Sequence, residues 1–94
     1  MDFKSGFYRV YKSGWCEQGG YIQKTSGQNV ALPIQLLKEM DSVYYEMFAN
    51  PILGGGDTTA HLDCVNTSTT QMTIYPHWGS TGSWINWEVK GFKK

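Results

Sequence analysis

Cysteine is scarce in this chain: there are two, Cys16 and Cys64. A secreted domain held together by disulfides usually carries roughly four or more, so a disulfide scaffold is excluded as the main source of stability. Both thiols read as small buried residues in a reducing compartment, with a Cys16–Cys64 bridge as the alternative. An excess of one charge is also missing. Lys plus Arg number eight, Asp plus Glu number eight, and the isoelectric point is about 6.7. Bulk charge therefore draws the chain neither to nucleic acid nor to anionic lipid. No apolar run approaches the ~20 residues of a membrane-spanning helix, so membrane insertion is not expected. Residues 1–5 are polar and charged, unlike a secretory leader. The run Gly54-Gly55-Gly56 lacks the Lys-Ser/Thr that follows in a phosphate-binding loop, and it reads as a connection.

Aromatic residues, by contrast, are plentiful. They make up 15% of the chain, with four Trp and six Tyr. Aromatics favour strands and offer large contact areas. The length, 94 residues, fits one domain spanning 1–94. A chain this short buries only about 60–65% of its unfolded surface, which leaves its stability modest.

Alternation sets the expected strands. Gly6 to Tyr11 is aromatic and β-branched, Lys12-Ser13-Gly14 is a turn, and Trp15 to Gln23 returns as a second strand. A short third strand covers residues 29–34, with Pro33 confining it to an edge or a strand end. Leu36, Leu37, Met40, Val43, Tyr44, Met47 and Phe48 recur at helical spacing, so a single helix over residues 35–48 competes with an extended reading. Asp41-Ser42 breaks the segment and Val43-Tyr44-Tyr45 is β-prone. The favoured expectation is a loop or short helical turn near 35–41, then a strand over 42–49. Residues 58–65 put Ala60, Leu62 and Cys64 on one face. Residues 69–75 turn Thr70, Met72 and Ile74 inward, and residues 84–92 turn Ile85, Trp87 and Val89 inward. About seven short strands with no βαβ unit predict an all-β fold, a small antiparallel β-sandwich. Strands of alternating direction would place loops 24–28, 51–57 and 76–83 at one end. Loops 12–14, 35–42 and 66–68 would share the other with the C-terminus.

Catalysis has little to stand on. Asp57, Asp63 and Glu88 are not paired by their spacing, and the two cysteines alternate like core residues. His61-Leu62-Asp63 puts two ligand-type side chains on one strand face, too few to assign a metal site. No catalytic residue, cofactor or metal is therefore assigned. The aromatic surplus says more. Trp78 sits in a Gly/Ser/Thr loop beside His77, where packing does not demand it. Trp84 and Tyr75 fall in outward registers, and Asp57 follows the glycine run. Rings among small polar residues suit the apolar faces of sugars or a protein surface. Trp78, His77, Tyr75, Trp84 and Asp57 are thus the expected receptor-binding set; the competing structural reading has Trp78 folded back over the core. Tyr44 and Phe48 lie opposite Val43, Tyr45, Met47 and Ala49, which makes both faces of that expected strand apolar. They are the expected subunit interface.

The run Gly6-Phe7-Tyr8-Arg9-Val10-Tyr11-Lys12-Ser13-Gly14-Trp15-Cys16-Glu17-Gln18-Gly19-Gly20 resembles the opening of the C-terminal knob domains of phage tail fibres. Those domains share an aromatic strand, a Ser/Asn/Asp-Gly turn and an apolar-x-x-Gln-x-Gly strand. Val30-Ala31-Leu32-Pro33-Ile34 is similar to their next strand, Val43-Tyr44-Tyr45 to a Tyr-containing one, and Trp87-Glu88-Val89-Lys90-Gly91-Phe92 to their closing strand. The chain departs from the pattern at Gly19, where many relatives carry an aromatic, and in the long connection at 35–41. The resemblance implies a homotrimeric β-sandwich knob at the tip of the fibre. It implies a place in the virion after synthesis in the bacterial host cytoplasm, and non-catalytic attachment to a bacterial cell-surface glycan or protein. A carbohydrate-binding module of a larger enzyme and a structural virion protein are the alternatives.

Overall fold

The computed structural model describes residues 6–52 and 61–94. Among them the chain forms seven strands and no helix: β1 (Phe7–Val10), β2 (Trp15–Gln23), β3 (Leu32–Gln35), β4 (Glu46–Ile52), β5 (Leu62–Val65), β6 (Gln71–Pro76) and β7 (Trp84–Phe92). One sheet has the order β1-β2-β7-β4 and the other β3-β6-β5, every pairing antiparallel. The all-β sandwich expected from alternation is the fold observed.

The opening hairpin closes where its turn residues require. Gly14 takes φ 92°, and its N–H bonds the Tyr11 carbonyl at 2.9 Å. A side chain would be strained there, and glycine is not. Pro33 and Pro51 both lie in strands, β3 and β4, and both strands are sheet edges. An edge strand leaves half its donors without a ladder partner, so it tolerates a residue with no N–H. Pro51 was expected in a loop; the strand instead runs through it to Ile52.

The core lies between the sheets. Cys16, Ile85, Trp87 and Val89 face Leu32, Ile34, Met72 and Ile74, with Met47, Ala49, Leu62 and Cys64 packed at the margins. Met72, Ile74, Ile85 and Val89 have no exposed surface, and each such side chain contributes about 1.5–3 kcal/mol. The inward registers expected for β6 and β7 hold for these residues.

Residues 36–45 contain no helical turn, and the strand expected over 42–49 starts only at Glu46. The cause is non-local bonding. The N–H groups of Leu36 and Met40 bond the carbonyls of Thr70 and Thr69, each at 2.9 Å, and the Asp41 N–H bonds Phe92 O at 2.9 Å. A helix over residues 35–48 would instead bond the Met40 and Asp41 donors to carbonyls four residues earlier. The segment's side chains explain the misleading period: Leu36, Met40 and Tyr45 are buried, while Leu37, Val43 and Tyr44 are exposed.

Gln18 fixes the same connection from beneath. It is fully buried on β2; its Oε1 accepts from Leu37 N at 2.7 Å and Lys38 N at 3.0 Å. Its Nε2 donates to Lys38 O at 2.9 Å and faces Met40 Sδ at 3.3 Å. Tyr45 adds a second anchor, its hydroxyl lying 2.9 Å from Ser68 O and 2.8 Å from Gln71 O.

Candidate functional site

Trp78 proves to be core rather than surface. Its side chain is 4% exposed, and it packs with the inward residues of both sheets. The loop carrying it is fastened by Lys24, which is completely buried. Lys24 Nζ donates to Ser26 O and Ser80 O, both at 2.6 Å, and sits 5.4 Å from the centre of the Trp78 ring. The backbone repeats the tie: Lys24 N bonds Ser83 O and Gly82 N bonds Lys24 O, both at 2.8 Å. Loops 24–28 and 76–83 therefore share one end, as the strand directions require. With the Trp78 indole enclosed, a ligand at this end would meet loop backbone and small side chains instead.

His77 is also engaged structurally. Its Nε2 lies 2.8 Å from Asp63 Oδ2 and its Nδ1 2.5 Å from Asn29 Oδ1. The His61 ring packs on it at 4.9 Å between centroids. Asn29 adopts φ 64°, and its N–H bonds the Pro76 carbonyl at 2.8 Å. The group joins residues 29, 61–63 and 77 at the border of the three-stranded sheet. Tyr75 lies beside it, directly opposite Asp63. An Asp–His pair could orient a proton transfer, but the His77 nitrogens are occupied by Asp63 and Asn29, and both thiols lie elsewhere. Cys64 faces the core, and Cys16 is fully buried. Burial pushes both thiols above their ordinary range, away from the thiolate a nucleophile needs; at Cys64 the neighbouring Asp63 adds to this. Among the described residues no group of three or more His, Cys, Asp or Glu is placed to hold a metal ion.

Trp84 lies on the opposite side of the molecule, on the outer face of the four-stranded sheet, paired with Gln23 and Ile52. The expected receptor-binding set is thus divided: Tyr75 and His77 on one sheet, Trp84 on the other, Trp78 between them. Asp57 falls outside the described residues. Of the expected interface pair, Tyr44 precedes β4 and is 88% exposed, whereas Phe48 stands on the outer face of β4.

That outer face holds a groove. Register places Phe7, Gly19, Glu88 and Phe48 in one row across β1, β2, β7 and β4, and Tyr21, Asn86 and Asn50 in the next row. Phe7, Tyr21 and Phe48, each nearly half exposed, stand around an open depression of about 200 Å³, with Asn50, Asn86 and Glu88 among its lining. Gly19 shapes it. A Cβ there would meet the Trp87 carbonyl oxygen at 2.5 Å and the Phe7 ring at 3.0 Å. The bare position lets the sheet close tightly and lets Phe7 lie across its cross-strand partner. Glu88 is held by Lys90 at 3.4 Å, and Lys90 Nζ sits 5.6 Å from the centre of the Phe48 ring. Asn86 Oδ1 is shielded from solvent and has no hydrogen-bond partner among the described residues.

Comparison with protein-family models, curated proteins and solved structures returns no match. The groove residues escape a linear reading because they come from four strands. The available signals were the outward register of Asn86 and Glu88, the exposed register of Phe48, and a glycine at 19 where the similar knob domains often carry an aromatic.

Proposed function

We propose that this chain is a non-catalytic receptor-binding module, the tip of a phage tail fibre that attaches to a bacterial cell-surface glycan or protein. The observation that carries the reading is the open groove of Phe7, Tyr21 and Phe48 over a polar floor. Half-exposed rings beside amides and a carboxylate suit recognition rather than packing. The resemblance to tail-fibre knobs supports the setting, and its motif residue Gln18 has structural work here, securing the 36–40 connection.

A homotrimer belongs to the same proposal. Tyr44 leaves 88% of its surface uncovered, and a small domain gains stability from a shared interface. Repeated copies would also convert weak single sites into firm attachment. Two measurements test the reading together. Labelled protein should adhere to cells of some bacterial strains and not others, and sedimentation equilibrium at micromolar concentration should give three times the chain mass. Absence of binding across a broad strain panel would reject receptor binding. A stable monomer that still binds would favour a carbohydrate-binding module of a larger enzyme.

A further inference from the structure

We infer that the groove on the outer face of the four-stranded sheet takes a single uncharged pyranose unit. This deepens the receptor-binding reading and rests on it. Size comes first. Phe7 and Phe48 stand on strands three spacings apart, about 14 Å at ~4.8 Å per strand, and β2 and β7 form the floor between them. The Phe7 ring leans over Gly19 and narrows that span to a depression of about 200 Å³, a size for one sugar ring, whereas a folded protein surface would contact only its rim.

Chemistry narrows the class further. The walls are faces and edges of aromatic rings, which pack against the C–H faces of a pyranose. The floor offers two side-chain amides and a carboxylate, donors and acceptors suited to hydroxyl groups. Glu88 lies in the lining, so an anionic ligand would meet a carboxylate, and the cations beside it, Lys90 and Arg9, are already paired with Glu88 and Glu17. An apolar peptide anchor would desolvate the amides of Asn50 and Asn86 without offering them partners. A polyol supplies those partners. Asn86 is the side chain with hydrogen-bonding capacity left over, since its Oδ1 has no partner among the described residues; rotation of that amide toward a bound hydroxyl would use it. Gly19 makes the site possible, since a ring at that position would occupy the space beside Phe7.

The test is titration of ¹⁵N-labelled protein with methyl glycosides of glucose, galactose, N-acetylglucosamine, N-acetylgalactosamine and rhamnose at millimolar concentration. At least one should shift the Gly20 backbone resonance and the Asn50 and Asn86 side-chain amides. Tyr21→Ala and Phe48→Ala should each weaken that glycoside by about tenfold, the scale of one lost aromatic contact. Asn50→Ala, at an exposed position, should weaken it by about fivefold with the fold intact. If no glycoside moves the groove resonances while Phe48→Ala abolishes adhesion to cells, the ligand is a protein: the pyranose assignment falls and receptor binding stands. If a glycoside binds in the groove but the protein adheres to no cell, the pyranose site stands and the receptor reading falls.

Discussion

The two ends of the sandwich are closed by two buried polar side chains from one stretch of chain, and they do it differently. At one end Gln18, neutral, meets the 36–40 connection with matched groups: its oxygen takes two backbone N–H donors and its amide nitrogen finds a carbonyl. At the other end Lys24 carries a charged head into full burial and finds two carbonyls and a ring face. Removing an ion from water costs several kcal/mol even after relaxation. Hydrogen bonds to a charged group return about 1.5–3 kcal/mol each. The Gln18 end therefore contributes net stability, whereas the Lys24 end is close to balance and chiefly fixes where its loops lie.

That contrast can be broken from either side. The largest effect is expected for Gln18→Ala, which orphans the partly buried backbone donors of Leu37 and Lys38. At about 1–3 kcal/mol for each unsatisfied group, a loss of about 3 kcal/mol should appear as a lower urea midpoint. Gly19→Ala should follow at about 2 kcal/mol, because the new methyl meets backbone oxygen that cannot give way.

Alkaline pH should weaken the Gln18 end next. Burial raises the Tyr45 hydroxyl above its ordinary 10.0 and the Cys16 thiol above 9.0, so the folded state holds protons that the unfolded chain releases. Their contribution is complete below those ordinary values and is lost as pH rises through the higher folded ones. The urea midpoint should be flat near neutrality and decline above about pH 9. The smallest effect is expected for Lys24→Met: global stability within about 1 kcal/mol of the parent, since relief of charge burial offsets the lost bonds. Amide exchange should nevertheless accelerate in residues 24–28 and 80–83 and remain unchanged in 36–40.

What was legible in the sequence follows the same division between local and distant causes. The alternation of Met72 and Ile74, and of Ile85, Trp87 and Val89, is local, and it placed two inner strands correctly. Gly14 and Pro33 speak through their own backbones, and both turned up where their conformational limits put them. Leu36, Leu37 and Met40 mislead because their spacing resembles a helix, while the bonds that hold their segment extended come from Gln18, Thr69, Thr70 and Phe92. Trp78 misleads because the lysine that covers its loop lies more than fifty residues away. The groove is hardest of all. Phe7, Gly19, Glu88 and Phe48 meet only through the pairing of four strands, and register is not written in any one of them.

The position of β7 carries a consequence for biosynthesis. It comes last in chain order among the seven described strands, yet it lies between β2 and β4 and pairs with both along their lengths. While a ribosome is still short of residue 84, β2 has only the four-residue β1 as a neighbour in its sheet, and β4 has none. The nascent chain must therefore carry β2 paired along one edge and β4 along neither, and the four-stranded sheet is completed only when Trp84–Phe92 enters between them.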